Sequence, residues 1–258
     1  MIHTLLFDGT ANGRDDVHPT NIRLLHEATP GSHYFEGPGN SDNFFVKAFG
    51  GGLGAGCLGI ISDALTALAA VYKPGDKICV IGFSRGAGNA RRAAFEICED
   101  GVNGHFPGIE FLGCFDTVFA ATPFGPFQSR ALFGDLHVHR DVKFAAHAVS
   151  LDENRKPFIP NLMNAREGVS EVWFRGCHSD IGGGYEKRGL ADITLHWMLD
   201  QVHAANITID RSRLPSLGSS PIESHLEGGF WGSREARRVG VMVDDEWSDN
   251  TPLIYHCP

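Results

Sequence analysis

The sequence has no C-x-x-C pair: its six cysteines, at positions 57, 79, 98, 114, 177 and 257, are scattered. That spacing argues against a disulfide framework and against a zinc site, and it predicts reduced, mostly buried thiols in a protein that folds in the cytoplasm. Basic residues are few, with 22 Lys and Arg against 31 Asp and Glu and a net charge of −9. The electrostatic footprint expected of a nucleic-acid or anionic-surface binder is therefore missing, so any lipid contact would have to be apolar. No apolar run is long enough to span a membrane. The opening Met1 to Asp8 has no basic start and reaches a charge too early for a secretory h-region. The expected location is cytoplasmic, which leaves room for export by a route that needs no cleaved signal. Repeats and low-complexity blocks are absent as well.

What is present is the composition of an ordinary globular protein, 258 residues with 42% hydrophobic and 21% charged, long enough for one large core. Residues 2–7 form a short apolar run stopped by Asp8-Gly9-Thr10, the pattern of a buried parallel strand ending in a loop. A glycine-rich stretch from 50 to 59 precedes a predicted helix over 60–72, ended by Lys73-Pro74-Gly75. A strand over 77–82, a helix over about 86–98, a strand over 109–115, a strand over 170–175 and a helix over 190–204 follow. Alternating strands and helices imply parallel crossovers and an α/β sheet covered on both faces. The pattern weakens after about 211, so 1–258 reads as one domain whose segment 206–258 is the least defined.

The strongest chemical signal is Gly82-Phe83-Ser84-Arg85-Gly86, a G-x-S-x-G between a predicted strand and a predicted helix. Its glycines allow the two backbones to approach across a sharp turn that lifts the serine hydroxyl above the sheet. The alternative is a tight turn with an incidental serine. A serine needs a base and an orienting acid, expected in the chain order Ser, Asp or Glu, His. Asp116 ends the 109–115 strand, at the same sheet edge as Ser84. His178 follows the 170–175 strand on a loop rich in glycine. Asp180 is the rival acid, but two residues from His178 it is better placed to brace that loop. Asp152 reads as a solvated or loop-pairing charge. Acyl transfer also needs donors for an oxyanion: the Arg85 amide is one candidate, Gly9 or Thr10 supplies the second, and Asp8 would position that loop. An ordinary turn at 8–10 is an equal alternative.

These residues sit within a wider pattern. Phe7-Asp8-Gly9-Thr10-Ala11-Asn12, Thr20-Asn21-Ile22, Gly82 to Ala87, Phe115-Asp116-Thr117-Val118, His147 to Glu153, Trp173-Phe174 with His178 to Tyr185, and Gly189 to Asp192 occur in that order. The sequence thereby resembles a family of bacterial and fungal α/β hydrolases that includes phospholipase effectors of type VI secretion systems. The resemblance runs to about residue 205 of 258 and implies an α/β-hydrolase fold with Ser84, Asp116 and His178 as a triad. The chain resembles the hydrolase core alone, without the large extra domain of the secreted phospholipases.

Several other patterns carry less. Phe7-Asp8-Gly9-Thr10 is similar to the start of haloacid-dehalogenase-type phosphatases, but their nucleophilic aspartate would fall at position 6, which is Leu6. Residues Gly54 to Gly59 match G-x-G-x-x-G without a clear preceding strand, and read as a close-packed glycine loop. His137, His139 and Asp141, or His178 with Asp180, could invite a metal. Phe119, with Phe124 and Phe127, could line an acyl pocket or simply pack in the core. The expected activity is cofactor-free and metal-free hydrolysis of a small-molecule or lipid ester through an acyl-enzyme, with no nucleic-acid partner and no integral membrane segment. Two alternatives remain: a metal-assisted phosphoesterase using Asp8, His178 and Asp180, and a binding module with an inactive elbow.

Overall fold

The computed structural model describes residues 1–10, 12–38, 53–118, 137–156, 158–225, 235–243, 246–248 and 251–255. Chain order runs through β1 (Ile2–Phe7), α1 (Asn21–Ala28), β2 (His33–Phe35), α2 (Leu53–Val71), β3 (Lys77–Phe83), α3 (Arg85–Glu99) and β4 (Ile109–Phe115). It continues with β5 (Val142–Ser150), β6 (Val169–Phe174), α4 (His178–Gly182), α5 (Gly189–Ala204), β7 (Val241–Val243), β8 (Glu246–Ser248) and β9 (Leu253–Ile254). Seven strands form one sheet in the order β2-β1-β3-β4-β5-β6-β9, every pair parallel, while β7 and β8 make a separate antiparallel hairpin. This is the α/β-hydrolase-like architecture that the sequence predicts.

Alternation along the strands divides the core in two. Leu6, Cys79, Ile81, Phe83, Phe111 and Phe115 pack with Ile22 and Leu25 of α1 and Leu195, Met198 and Leu199 of α5. Leu5, Phe7, Ile78, Val80, Leu112 and Cys114 point the other way, onto Ile61, Ala64 and Leu68 of α2 and Ala87, Ala90 and Ala94 of α3. Burial on both faces is why these strands read as continuous apolar runs. The helices have local causes too. Thr20 caps α1 by accepting the Arg23 N–H on its hydroxyl, leaving one fewer orphan donor in the first turn.

The sheet order positions the site. From β1 the chain moves outward to β2, then returns to place β3 on the other flank of β1. The reversal opens a crevice at the carboxyl ends of β1 and β3, the usual ligand position in such sheets. The residues that follow these two strands are Asp8-Gly9-Thr10 and Ser84.

Some elements differ from expectation. Helix α2 starts at Leu53, so Gly54 to Gly59 lies within a helix and is not a close-packed loop. Cys57, Ile61, Ala64 and Leu68 are all buried at helical spacing, and packing of that stripe outweighs the roughly 1 kcal/mol cost of each helical glycine. His178 opens the short helix α4 instead of sitting on a loop. Helix α1 and strands β2 and β5 carried no sequence assignment. In the C-terminal segment β9 joins the sheet edge against β6. Val239, Met242 and Trp247 pack against the cluster of Val149, Leu162 and Trp173, and the Trp173 indole Nε1 donates to the Gly240 carbonyl at 3.2 Å.

Candidate active site

Both glycines of the elbow are demanded by the backbone. A Cβ on Gly82 would lie 2.3 Å from the Gly86 carbonyl oxygen, and one on Gly86 would lie 2.3 Å from the carbonyl oxygens of both Phe7 and Asp8. Ser84, between β3 and α3, is held at φ 59° and ψ −124°, a conformation that costs a side-chain-bearing residue roughly 1–3 kcal/mol. Its N–H donates to the Phe115 carbonyl at 2.9 Å, and its carbonyl accepts from Ala87. The surrounding strands therefore fix the strained residue in place.

The Ser84 hydroxyl lies 2.8 Å from Nε2 of His178, and Nδ1 of the same ring lies 2.6 Å from Oδ2 of Asp116. All three residues are buried, at 7%, 5% and 0% exposure, and the low local dielectric strengthens these bonds. Phe83 lies against the imidazole with ring centroids 4.7 Å apart, and Phe158 meets it edge-on at 5.0 Å. The Phe83 ring fills the space where Gly9 and Gly182 have no side chain: a Cβ would meet it at 2.8 Å and 2.1 Å respectively. The backbone N–H of His178 donates to Glu153 Oε2 at 3.1 Å, and Arg155 grips the same carboxylate through Nε and Nη2. Burial alone would raise the Glu153 carboxyl, but its bonds to Arg155 hold it below its ordinary value.

Asp116 accepts four hydrogen bonds. Oδ1 takes the Ser150 N–H at 2.9 Å and Nη1 of Arg237 at 2.6 Å; Oδ2 takes His178 and Nη2 of Arg237 at 2.9 Å. Burial pushes the Asp116 carboxyl up, but the Arg237 guanidinium and the His178 bond outweigh it and hold the group well below the usual carboxylate range. The next residue, Thr117, donates its N–H to Nε2 of His147 at 3.0 Å, and Nδ1 of that ring faces Glu171 Oε2 at 2.8 Å. With Nε2 accepting, the Nδ1–H tautomer is the one that satisfies both bonds.

In the first loop, the Asp8 carboxylate receives the hydroxyls of Thr20 and Tyr34, both at 2.7 Å, and the Gly9 N–H at 2.7 Å. Burial pushes this carboxyl up to about 6, against the lowering effect of those bonds. The Gly9 amide is thus committed to Asp8. The Thr10 hydroxyl has no hydrogen-bond partner among the described residues. Burial also pushes the Arg85 guanidinium down to about 10.

The remaining predicted positions are not brought to the serine. Asp180 accepts the N–H groups of Cys177 and His225 on Oδ2 and pairs with the His225 ring through Oδ1 at 2.6 Å. Asp152 accepts Arg175 Nε and the Gly176 N–H, both at 2.7 Å. His139 pairs with Glu99 and His137 with Asn164. Asp8 and Asp180 each have partners of their own and do not converge on His178, and among the described residues no group of three His, Cys, Asp or Glu side chains could hold a metal ion. Phe119, Phe124 and Phe127 lie outside the described residues.

Residues 3–105 and 98–201 match the type VI secretion system phospholipase effector family described as Tle1-like, catalytic domain. The chain belongs to that family. Among solved structures, an uncharacterized protein from Pseudomonas aeruginosa is 20% identical with a TM-score of 0.58, over 84% of this chain and 47% of that one. The Tle1 effector bound to the VgrG spike of the type 6 secretion system is 20% identical with a TM-score of 0.48, over 72% and 51%. An acetyl xylan esterase is 12% identical with a TM-score of 0.40, over 79% and 97%. The first two are about twice the length that this Tle1-like chain covers. No curated protein sequence matched.

Sequence reading had singled out Ser84, His178 and Asp116, but not Glu153, Arg155, Phe158, His147, Glu171 or Arg237 as parts of this site. His147 to Glu153 stood in a block of the resemblance with no role attached. Arg237 lies beyond the family match and had no signal at all.

Proposed function

We propose that this Tle1-like domain is a serine ester hydrolase, with Ser84 as nucleophile, His178 as general base and acid, and Asp116 as the acid that orients the imidazole. The observation that carries this reading is the buried, hydrogen-bonded line from Ser84 through His178 to Asp116, ending on a serine held in a strained turn. His178 Nε2 takes the hydroxyl proton as Ser84 Oγ attacks the carbonyl carbon. It returns that proton to the leaving alcohol when the tetrahedral intermediate collapses to acyl-Ser84. Water, deprotonated by the same nitrogen, then attacks the acyl group and frees the serine. Asp116, kept ionised, holds Nδ1–H and balances the imidazolium charge. The developing oxyanion would be met by the Arg85 amide and, since Gly9 donates to Asp8, by Thr10 from the first loop. A complete line of this kind speaks against an inert elbow.

Family membership favours a lipid ester, a phospholipid above all, as substrate, and export by a secretion system after synthesis in the cytoplasm. Among the described residues no helix is long and apolar enough to cross a membrane. Residues 1–258 act in this reading as one catalytic domain, because the C-terminal segment adds β9 to the sheet and Arg237 to the site.

A fluorophosphonate probe and a panel of acyl esters and phospholipids test the proposal. Wild-type protein should label covalently and turn over at least one ester. Ser84→Ala should stay folded, lose labelling and lose activity by about three orders of magnitude or more. Undiminished turnover by that variant would overturn the assignment.

A further inference from the structure

We propose that Arg237, from the segment beyond the family match, is a positioning residue of this site: it clamps Asp116 and sets how strongly that carboxylate supports protonation of His178. The inference rests on the triad reading above. Arg237 enters from 121 residues down the chain, and its side chain is 4% exposed. Each of its five N–H groups is used: Nη1 on Asp116 Oδ1 and the Ser150 carbonyl, Nη2 on Asp116 Oδ2 and the Phe158 carbonyl, Nε on the Phe158 carbonyl again. The guanidinium thus spans both carboxylate oxygens, a geometry that fixes the plane of the acid as a point charge could not. Together with the Ser150 N–H and His178, it fills all four acceptor positions of Asp116.

A cation here has two opposed consequences. It locks Asp116 in the rotamer that meets Nδ1 of His178. It also neutralises much of the charge with which Asp116 would stabilise an imidazolium. Other charges near His178 are already matched: Glu153, on its backbone N–H, is held by Arg155, and Asp180, on its own helix, is held by His225. The aromatic neighbours of the ring, Phe83 and Phe158, carry no charge of their own. Among the described residues Arg155, stacked over the Phe158 ring at 3.6 Å, is paired with Glu153, and Arg237 is the cation bonded directly to Asp116.

The test uses the full chain. In Arg237→Met, kcat/KM should fall by about 100-fold through misplacement of the acid, and the acid limb of its pH profile should move up by about 1 unit, because removing a cation favours the protonated imidazole. NMR titration of the His178 ring should show the same upward displacement without substrate. Arg237→Lys keeps the charge but not the fork: its acid limb should stay near that of wild type while kcat drops about tenfold. Arg237→Gln carries the neutral arm if Arg237→Met does not fold by circular dichroism. A neutral variant that is folded and slow but has an unmoved acid limb and ring titration makes Arg237 a structural residue only and overturns the proposal. Full kcat in Arg237→Lys also overturns it. Wild-type protein that the fluorophosphonate probe leaves unlabelled at Ser84 removes the triad reading and this inference together, whereas labelled protein with an unmoved limb removes this inference alone.

Discussion

The Asp180 carboxylate engages His225, 45 residues further on, at 2.6 Å, although His178 is only two residues before it in the chain. Its other oxygen accepts the N–H of Cys177, which fixes the first turn of α4. Asp180 therefore braces the helix that presents His178, and Asp116 is the carboxylate that reaches the imidazole.

These roles separate kinetically. Asp116→Asn should cut kcat by about 10⁴, because an amide opposite Nδ1 favours the wrong imidazole tautomer, and should also cost stability, because it leaves the buried Arg237 guanidinium without its counter-charge. Asp180→Asn should cost stability and much less turnover. Steady-state kinetics with circular dichroism on both variants check this; a larger catalytic loss at Asp180 reverses the assignment.

At the elbow, Gly86→Ala should lower stability by about 2 kcal/mol or more and abolish most activity. The new methyl would press on two backbone carbonyls of the β1 end, which cannot swing aside as a flexible side chain could. Urea unfolding and probe labelling are the measurements; a variant with wild-type stability and labelling refutes the close approach.

Asp8 gives a signed pH dependence. Its carboxyl is raised from 3.8 to about 6 in the folded protein, so the folded state binds this proton more tightly than the unfolded chain. Over that window the contribution of Asp8 to stability falls as pH rises. The stability of wild type minus that of Asp8→Asn, from urea unfolding, should decline by about 2–3 kcal/mol between pH 4 and 7. A flat or rising difference contradicts the burial-driven shift.

Prolonged EDTA treatment should leave ester turnover unchanged, since the chemistry is assigned to Ser84, His178 and Asp116 and the carboxylates of Asp8 and Asp180 are taken by other partners. Loss of activity on chelation, restored by a divalent ion, would revive the metal-assisted phosphoesterase in place of the serine mechanism.

The sequence by itself determined four of the seven parallel strands, β1, β3, β4 and β6, through apolar runs buried on both faces, and the elbow, through two glycines whose spacing is a local backbone requirement. It also narrowed the proposed acid and base to residues that follow strands at one sheet edge, because strand direction fixes which edge a following residue occupies. Helix α1 and the true start of α2 escaped because their short or glycine-interrupted stripes become apolar faces only when a sheet is there to receive them. Only the tertiary structure decided how the charges pair. Asp180 turns to His225, the Gly9 amide is taken by Asp8, and Arg237 reaches Asp116 from a segment of weak pattern. Local periodicity is written in neighbouring residues, whereas the partner of a buried charge is whichever group the folded backbone brings within hydrogen-bond distance, however far away it lies in the chain.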